Sequence, residues 1–361
     1  MAGTATRIPE REALSRTASF AIGDCLLRVR SDDLSFLQHM HHQYGDCAVD
    51  AADRPTSPRV CCTLGNLRIG DREWLSLIFE EGGPPDPLGA MVSLMYPPFE
   101  TAPYVVSDGP LPGWRNISGG TDPSTPAVLG NGAHVLINAM QAGLEAPAEF
   151  VADYLVSVTL ATQPHLMIVH GASLCVGDSG IIISGHSHSG KTTTALHLAA
   201  RGHRLLGDEL AVLRLASGEL IPLARALHLR PGPRTEALAT ALAPFKEATG
   251  AATDAEWTGT IPIGALFPNS WSRPPRLQAF FFLSGFADQP STVRCHPGLQ
   301  GDELWCLAND MINSSWGLAA ERRALRLVVL GALLARVPCW RLTVGPPDQT
   351  ADLIESVLEE Q

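Results

Sequence analysis

The chain has 361 residues, 45% of them hydrophobic and 17% charged, the composition of a globular protein with a large core and not of a disordered chain. Its net charge of −11, from 26 Lys and Arg against 37 Asp and Glu, speaks against nonspecific nucleic-acid binding and against an anionic membrane surface, both of which need basic patches. The eight cysteines are scattered without C-x-x-C spacing, which disfavours a disulfide scaffold or a zinc ribbon and suits reduced thiols in a cytoplasmic protein.

Along the chain, the start Met1-Ala2-Gly3-Thr4-Ala5-Thr6-Arg7 lacks the apolar stretch of a signal peptide. Residues 17–30 predict a β-hairpin. Ser31 or Asp32 could cap a helix running to about Tyr44, with Leu34, Leu37 and Met40 near helical spacing. His39, His41, His42 and Cys47 meet no zinc spacing and read as one face of that helix. Gly and Pro crowd residues 80–115 and break any long element there. Helices are predicted over 128–143 and 147–161. A strand is predicted from Leu166 to Val176, then a turn at Gly177-Asp178-Ser179-Gly180 and a buried strand at Ile181-Ile182-Ile183-Ser184.

The next segment, Gly185-His186-Ser187-His188-Ser189-Gly190-Lys191-Thr192, fits G-x-x-x-x-G-K-[ST] between that strand and a helix from Thr193 to Ala200. This is the context of a phosphate-binding loop, in which turn amides and a helix N-terminus face a nucleoside triphosphate. Lys191 would reach the β- and γ-phosphates, the Thr192 hydroxyl would hold Mg²⁺, and Gly185 through Thr193 would form the cradle. Short strands follow at 204–206 and 210–215, then a Ser217-Gly218 turn into 219–222. Asp208 and Glu209, between the first two, lie 17 and 18 residues beyond Lys191. Carboxylates there suit Mg²⁺ coordination or acceptance of a proton from an attacking hydroxyl. Later strands are expected over 277–284 and 340–344, with helices over 320–336 and 348–359. The apolar run from Leu327 to Ala335 is too short to span a bilayer, which needs about 20 residues, and reads as a buried helix. The chain divides near residue 150, into a mixed α/β accessory module over 1–150 and a strand-rich α/β nucleotide-binding domain over 151–361.

The stretch from His170-Gly171-Ala172-Ser173 through the loop and Arg201-Gly202-His203-Arg204-Leu205-Leu206-Gly207 to Asp208-Glu209 resembles HPr kinase/phosphorylase, whose nucleotide-binding core is shared with ATP-type phosphoenolpyruvate carboxykinase. The resemblance covers residues 168–215. It implies an α/β kinase fold, ATP and Mg²⁺ as cofactors, His170 as an active-site histidine, Glu209 in the place of a catalytic aspartate, and Asp208 as its acidic neighbour. The remainder is similar to divergent HPr-kinase-related proteins found with peptide-modification genes, some of which phosphorylate a peptide hydroxyl. The expected acceptor is therefore a Ser or Thr of a peptide or small protein, with no nucleic acid or membrane partner. A homo-oligomer is compatible with the resemblance, since HPr kinases form hexamers. Two departures stand out: Glu209 replaces Asp, and Leu227-His228-Leu229-Arg230-Pro231-Gly232 lacks the family's second magnesium carboxylate. A kinase without the reverse phosphorolysis is expected, and HPr itself is not the expected substrate. Arg230 and Arg276 are candidates for neutralising phosphoryl charge. A small-molecule hydroxyl kinase and an ATP-binding regulator that transfers nothing are the alternatives.

Overall fold

A computed structural model describes residues 16–50, 58–69, 71–83, 105–109, 112–118, 126–229, 238–239, 242–243, 259–268, 274–295 and 320–360. Arg230 and Cys306 lie outside these residues; the other seven cysteines are free thiols. The fold is a strand-rich α/β arrangement.

The N-terminal half builds one eight-stranded sheet from β1 (Arg16–Ile22), β2 (Cys25–Ser31), β3 (Arg59–Ile69), β4 (Arg72–Glu81), β5 (Val105–Asp108), β6 (Arg115–Ser118), β7 (Pro126–Gly130) and β8 (His134–Ile137), in the order β1-β2-β3-β4-β8-β7-β6-β5. The predicted hairpin is β1–β2, turning at Gly23 with φ +63°. Helix α1 (Leu34–Tyr44) begins one residue later than either expected cap allowed. Asp33 is the cap, its carboxylate accepting from the Ser35 and Phe36 amides, while Ser31 Oγ accepts from Asp33 N. Helix α2 (Pro147–Ala161) starts on a proline and is buried along most of its length. Phe36, Met40, Tyr44, Tyr154, Leu155 and Val158 pack with Phe20, Leu27 and Leu77 of the sheet into one core.

The helix expected over 128–143 is instead the β7–β8 hairpin. Gly130-Asn131-Gly132 breaks the chain there, and the Asn131 side chain accepts from the Ala133 and His134 amides to close the turn. Val128, Val135 and Ile137 are β-branched, and β8 finds a ladder partner in β4. Pairing distant in sequence overrode the local helical pattern.

The second half contains β9 (Leu166–His170), β10 (Ala172–Val176), β11 (Ser179–Gly185), helix α3 (Lys191–Ala200), β12 (Arg204–Gly207), β13 (Leu210–Arg214), β14 (Leu220–Ile221), β15 (Leu227–Leu229), β16 (Gly259–Ile261), the short α4 (Ile263–Leu266), β17 (Leu277–Phe286), β18 (Ser291–Cys295), α5 (Ala320–Leu334), β19 (Cys339–Val344) and α6 (Pro347–Glu359). A six-stranded sheet runs β12-β10-β11-β17-β19-β18, with β11, β17 and β19 parallel at its centre. Helices α3 and α6 cover one face through Leu196, Leu198, Ile354 and Val357. The other face meets Leu330 and Leu334 of α5 and the sheet β14-β13-β9.

The strand expected from Leu166 to Val176 is thus two strands in different sheets, broken at Gly171. A Cβ on Gly171 would lie 2.5 Å from the Ile183 carbonyl oxygen. Only glycine lets the chain cross this close to β11 as it changes sheets.

The two halves share the first core, which Leu166, Ile168, Val212 and Leu223 enter from the second half, and polar contacts tie them as well. Arg214 forks onto both Asp24 oxygens at 2.6 and 2.8 Å, His165 Nε2 lies 2.8 Å from the same carboxylate, and Gln163 donates to Ile22 O. No helix of the described residues is long and apolar enough to cross a membrane.

Candidate phosphate-loop site

The apolar strand β11 ends at Gly185, whose φ of +147° and whose virtual Cβ, 2.7 Å from Leu283 O, both require glycine. His186, Ser187 and His188 are exposed, and Gly190, at φ +98°, caps α3. Lys191 is the first helical residue, so its ammonium and the free amides of the first turn face the loop together. Lys191 Nζ donates to Gly185 O at 2.8 Å and His186 O at 2.9 Å. Ser189 Oγ is buried and has no hydrogen-bond partner among the described residues, an unspent polar group inside a loop of the phosphate-binding pattern. His186 turns its ring edge to Phe282, centroids 5.8 Å apart, which anchors one loop histidine against the sheet.

Thr192 is buried, and its Oγ1 lies 3.1 and 3.0 Å from the two Asp208 oxygens. Asp208 is itself only 8% exposed. Glu209 has φ +71°, the left-handed conformation that costs a non-glycine residue about 1 kcal/mol or more. Two backbone bonds impose it: Leu210 N donates to Asp208 O at 2.9 Å, and Gly171 N donates to Glu209 O at 3.0 Å. The kink aims two adjacent carboxylates differently, Asp208 inward to Thr192 and Glu209 outward. His170, opposite Leu210 in the β9–β13 ladder, comes within 3.9 Å of Glu209 through Nδ1. Ser184 Oγ donates to His170 O at 2.7 Å and ties this strand end to β11. Of the residues chosen from sequence, Thr192 thus meets Asp208 just past the loop that Lys191 closes, and His170 approaches Glu209.

Thr192, Asp208 and Glu209 open onto a pocket that includes about 420 Å³ of empty space, walled also by Gln43, Glu149, Arg225, Ala226 and His228. Sequence reasoning missed Gln43, Glu149 and Arg225, because no spacing connects them to the loop. Arg225 Nη2 lies 2.9 Å from Asp153 and 3.3 Å from Glu149, both on α2. Burial opposes its charge, but Asp153, Tyr44, Glu209 and Glu149 more than offset this and hold the guanidinium above its ordinary pKa. Burial pushes the Asp153 carboxyl up, against the pull of Arg225 and of the Tyr44 hydroxyl, which donates to it at 2.7 Å. The neighbouring His39 is pushed down by burial. Of the two arginines singled out from sequence, Arg230 lies outside the described residues. Arg276 accepts from Gly180 N at the start of β11, the end away from the loop, so it does not join the site.

Among the described residues no group of three or more His, Cys, Asp or Glu side chains is disposed to hold a metal by itself. The Thr192–Asp208 oxygen pair still fits Mg²⁺, which keeps several waters and takes one or two carboxylates plus phosphate oxygens.

No protein-family model matches the chain. It is similar to the HPr kinase/phosphorylase of Clostridium botulinum (strain Eklund 17B / Type B), 45% identical over 53 residues, which make up 15% of this chain and 17% of that protein. It is also similar to the HPr kinase/phosphorylase of Treponema pallidum (strain Nichols), 40% identical over 68 residues, 19% of this chain and 21% of that one. The chain spans about a fifth of the length of these curated relatives. It is related to the HPr kinase/phosphorylases. A solved Hpr(Ser) kinase/phosphatase from Coxiella burnetii aligns with 54% of this chain and 89% of its own, at 13% identity and a TM-score of 0.26.

Proposed function

We propose that this relative of the HPr kinase/phosphorylases is a phosphotransferase that moves the γ-phosphate of Mg-ATP to a Ser or Thr hydroxyl of a peptide or small protein, a peptide natural-product precursor being the acceptor class favoured. The observation that carries the reading is the meeting of Thr192, next to Lys191 at the start of α3, with Asp208, both lining one pocket together with the strained, outward-turned Glu209.

Each residue has work that its position allows. The loop amides and Lys191 bind and orient the triphosphate, the lysine turning from the Gly185 and His186 carbonyls to phosphate oxygens. Thr192 and Asp208 would hold Mg²⁺, which when bound neutralises charge on the β- and γ-phosphate oxygens. Glu209 accepts the hydroxyl proton while the acceptor oxygen bonds to the γ-phosphorus, the bridging oxygen–phosphorus bond breaks and ADP departs. His170, 3.9 Å away, orients the Glu209 carboxylate. Arg225 supplies fixed positive charge at the pocket wall. The protein contributes position and electrostatics, since this chemistry asks for little else.

The test is transfer from γ-labelled Mg-ATP into peptides and proteins of the host's own extract, with Lys191→Ala and Glu209→Gln alongside. A labelled band that requires both residues supports the reading. ATP binding without any labelled product overturns it in favour of a regulator. The competing reading is a kinase for a small hydroxyl compound. Label appearing in a metabolite and in no peptide would select that reading.

A further inference from the structure

Strand β17 carries Phe280, Phe281, Phe282 and Leu283 in alternation, with Phe281 and Leu283 facing α3 and α6, and Phe280 and Phe282 facing α5. Strict alternation would send Phe286 to the α5 face, with Phe282. It does not go there. The β17–β19 register slips between Leu283 and Gly285: Leu283 sits opposite Leu342, Gly285 opposite Thr343, and Phe286 opposite Val344. Ser284 is the extra residue. A bulge of this kind reverses the facing of everything beyond it, and it occurs where a strand must re-aim a side chain. Phe286 consequently shares a face with Leu283 and Val344, the face on which the phosphate loop lies.

The ring also stands past the edge of the sheet. The pairing of β11 with β17 ends at Gly185–Leu283, where β11 becomes the loop, and Phe286 lies three residues further along. Its edge lies against the loop: a Cβ on Gly190 would be 3.5 Å from Phe286 Cε1 and 3.7 Å from Cζ. Yet the residue is 66% exposed, the one aromatic among the exposed large apolar residues described. This is the carboxyl edge of parallel strands, where ligands of open α/β sheets bind.

We infer that Phe286 is the stacking platform for the base of the nucleotide whose phosphates the loop holds, an inference that rests on the nucleotide reading above. A polyphosphate alone would gain nothing from an apolar ring. A nucleoside triphosphate carries a flat π-face on the same molecule, and an exposed phenyl at the loop's edge matches it. Stacking reads the face of a base and not its edge, so ATP and GTP depend on Phe286 alike.

The experiment is calorimetric titration of the full chain with Mg-ATP and, separately, with Mg-tripolyphosphate, in the wild type, Phe286→Ala and Phe286→Trp. The expected result is that Phe286→Ala weakens ATP by roughly tenfold or more and leaves tripolyphosphate within about twofold, while Phe286→Trp restores ATP. Equal ATP affinity in the wild type and Phe286→Ala overturns the inference, as does equal weakening of both ligands, which would make the ring a buttress of the loop. A wild type that binds tripolyphosphate but gains no affinity from the nucleoside overturns it while sparing the phosphate loop. A wild type that binds neither ligand removes the nucleotide reading, and this inference with it.

Discussion

Thr192 Oγ1 lies 3.1 and 3.0 Å from the two oxygens of Asp208, joining the first turn of α3 to the end of β12 across the phosphate-loop site. Both residues are buried, so these oxygens are poorly solvated and hold one another in place. If the pair works as one unit, its losses do not add. Thr192→Ala and Asp208→Asn should each reduce phosphate transfer by about 10²-fold or more, and the double variant should lose little beyond the worse single one. Rates of label transfer for the three variants measure this; fully multiplicative losses would show that the two side chains act separately.

Glu209 holds a left-handed backbone that glycine adopts freely. Glu209→Gly should therefore be more stable than Glu209→Ala, by about 1 kcal/mol, although both remove the proposed proton acceptor and should cut transfer by roughly 10²- to 10⁴-fold. Denaturant midpoints of the two variants give the stability difference. Equal midpoints would mean that the backbone relaxes once the side chain is gone.

Gly171 has no room for a methyl group, because the atom it would strike is a backbone carbonyl that cannot turn aside. Gly171→Ala should destabilise by about 1–3 kcal/mol and should weaken transfer too, since His170 and the Glu209 carbonyl flank the crossing. Thermal unfolding and a transfer assay on the same sample test both parts.

Asp24 provides a pH signature for the joint between the two halves. The Arg214 fork, with help from His165, pulls its carboxyl from 3.8 to about 2 against the effect of burial. A carboxyl depressed by folding adds stability above its unfolded pKa and loses it as pH falls through the folded one. The wild type should therefore lose stability between pH 3.8 and about 2 more steeply than Asp24→Asn, and the two curves should run parallel above pH 5. The group is 38% exposed, so the difference is modest and shrinks with salt. Urea midpoints across that range provide the comparison.

Much of the site was legible because its signals are local. A buried β strand, a glycine-rich turn and a helix lie consecutively from Ile181 to Ala200, an order that lets turn amides and a helix N-terminus face an anion. The loop residues and the acidic pair could be named from spacing, and His170 from the resemblance to HPr kinase/phosphorylase. The strained backbone of Glu209 could not, since it depends on the bond that Gly171 N, distant in sequence, donates to Glu209 O. Nor could Arg225, whose relation to the site is made by α2 and by the tertiary packing of Tyr44 and Asp153.

The same division explains the elements. Hairpins with short turns, capped helices and apolar runs were decided within a few residues of chain, and β1–β2, α2, α3 and α6 follow from them. By itself, the sequence determined a strand-rich α/β protein with a phosphate loop and an acidic pair beside it. Tertiary structure decided what depends on distant partners: that 126–137 becomes a hairpin because β4 offers it a ladder, that Gly171 splits one apolar run between two sheets, and that one bulged residue turns Phe286 toward the loop. The physical reason is that turns and caps are satisfied by neighbouring residues, whereas a strand's hydrogen bonds and a side chain's facing are completed only by the strand that lies beside it.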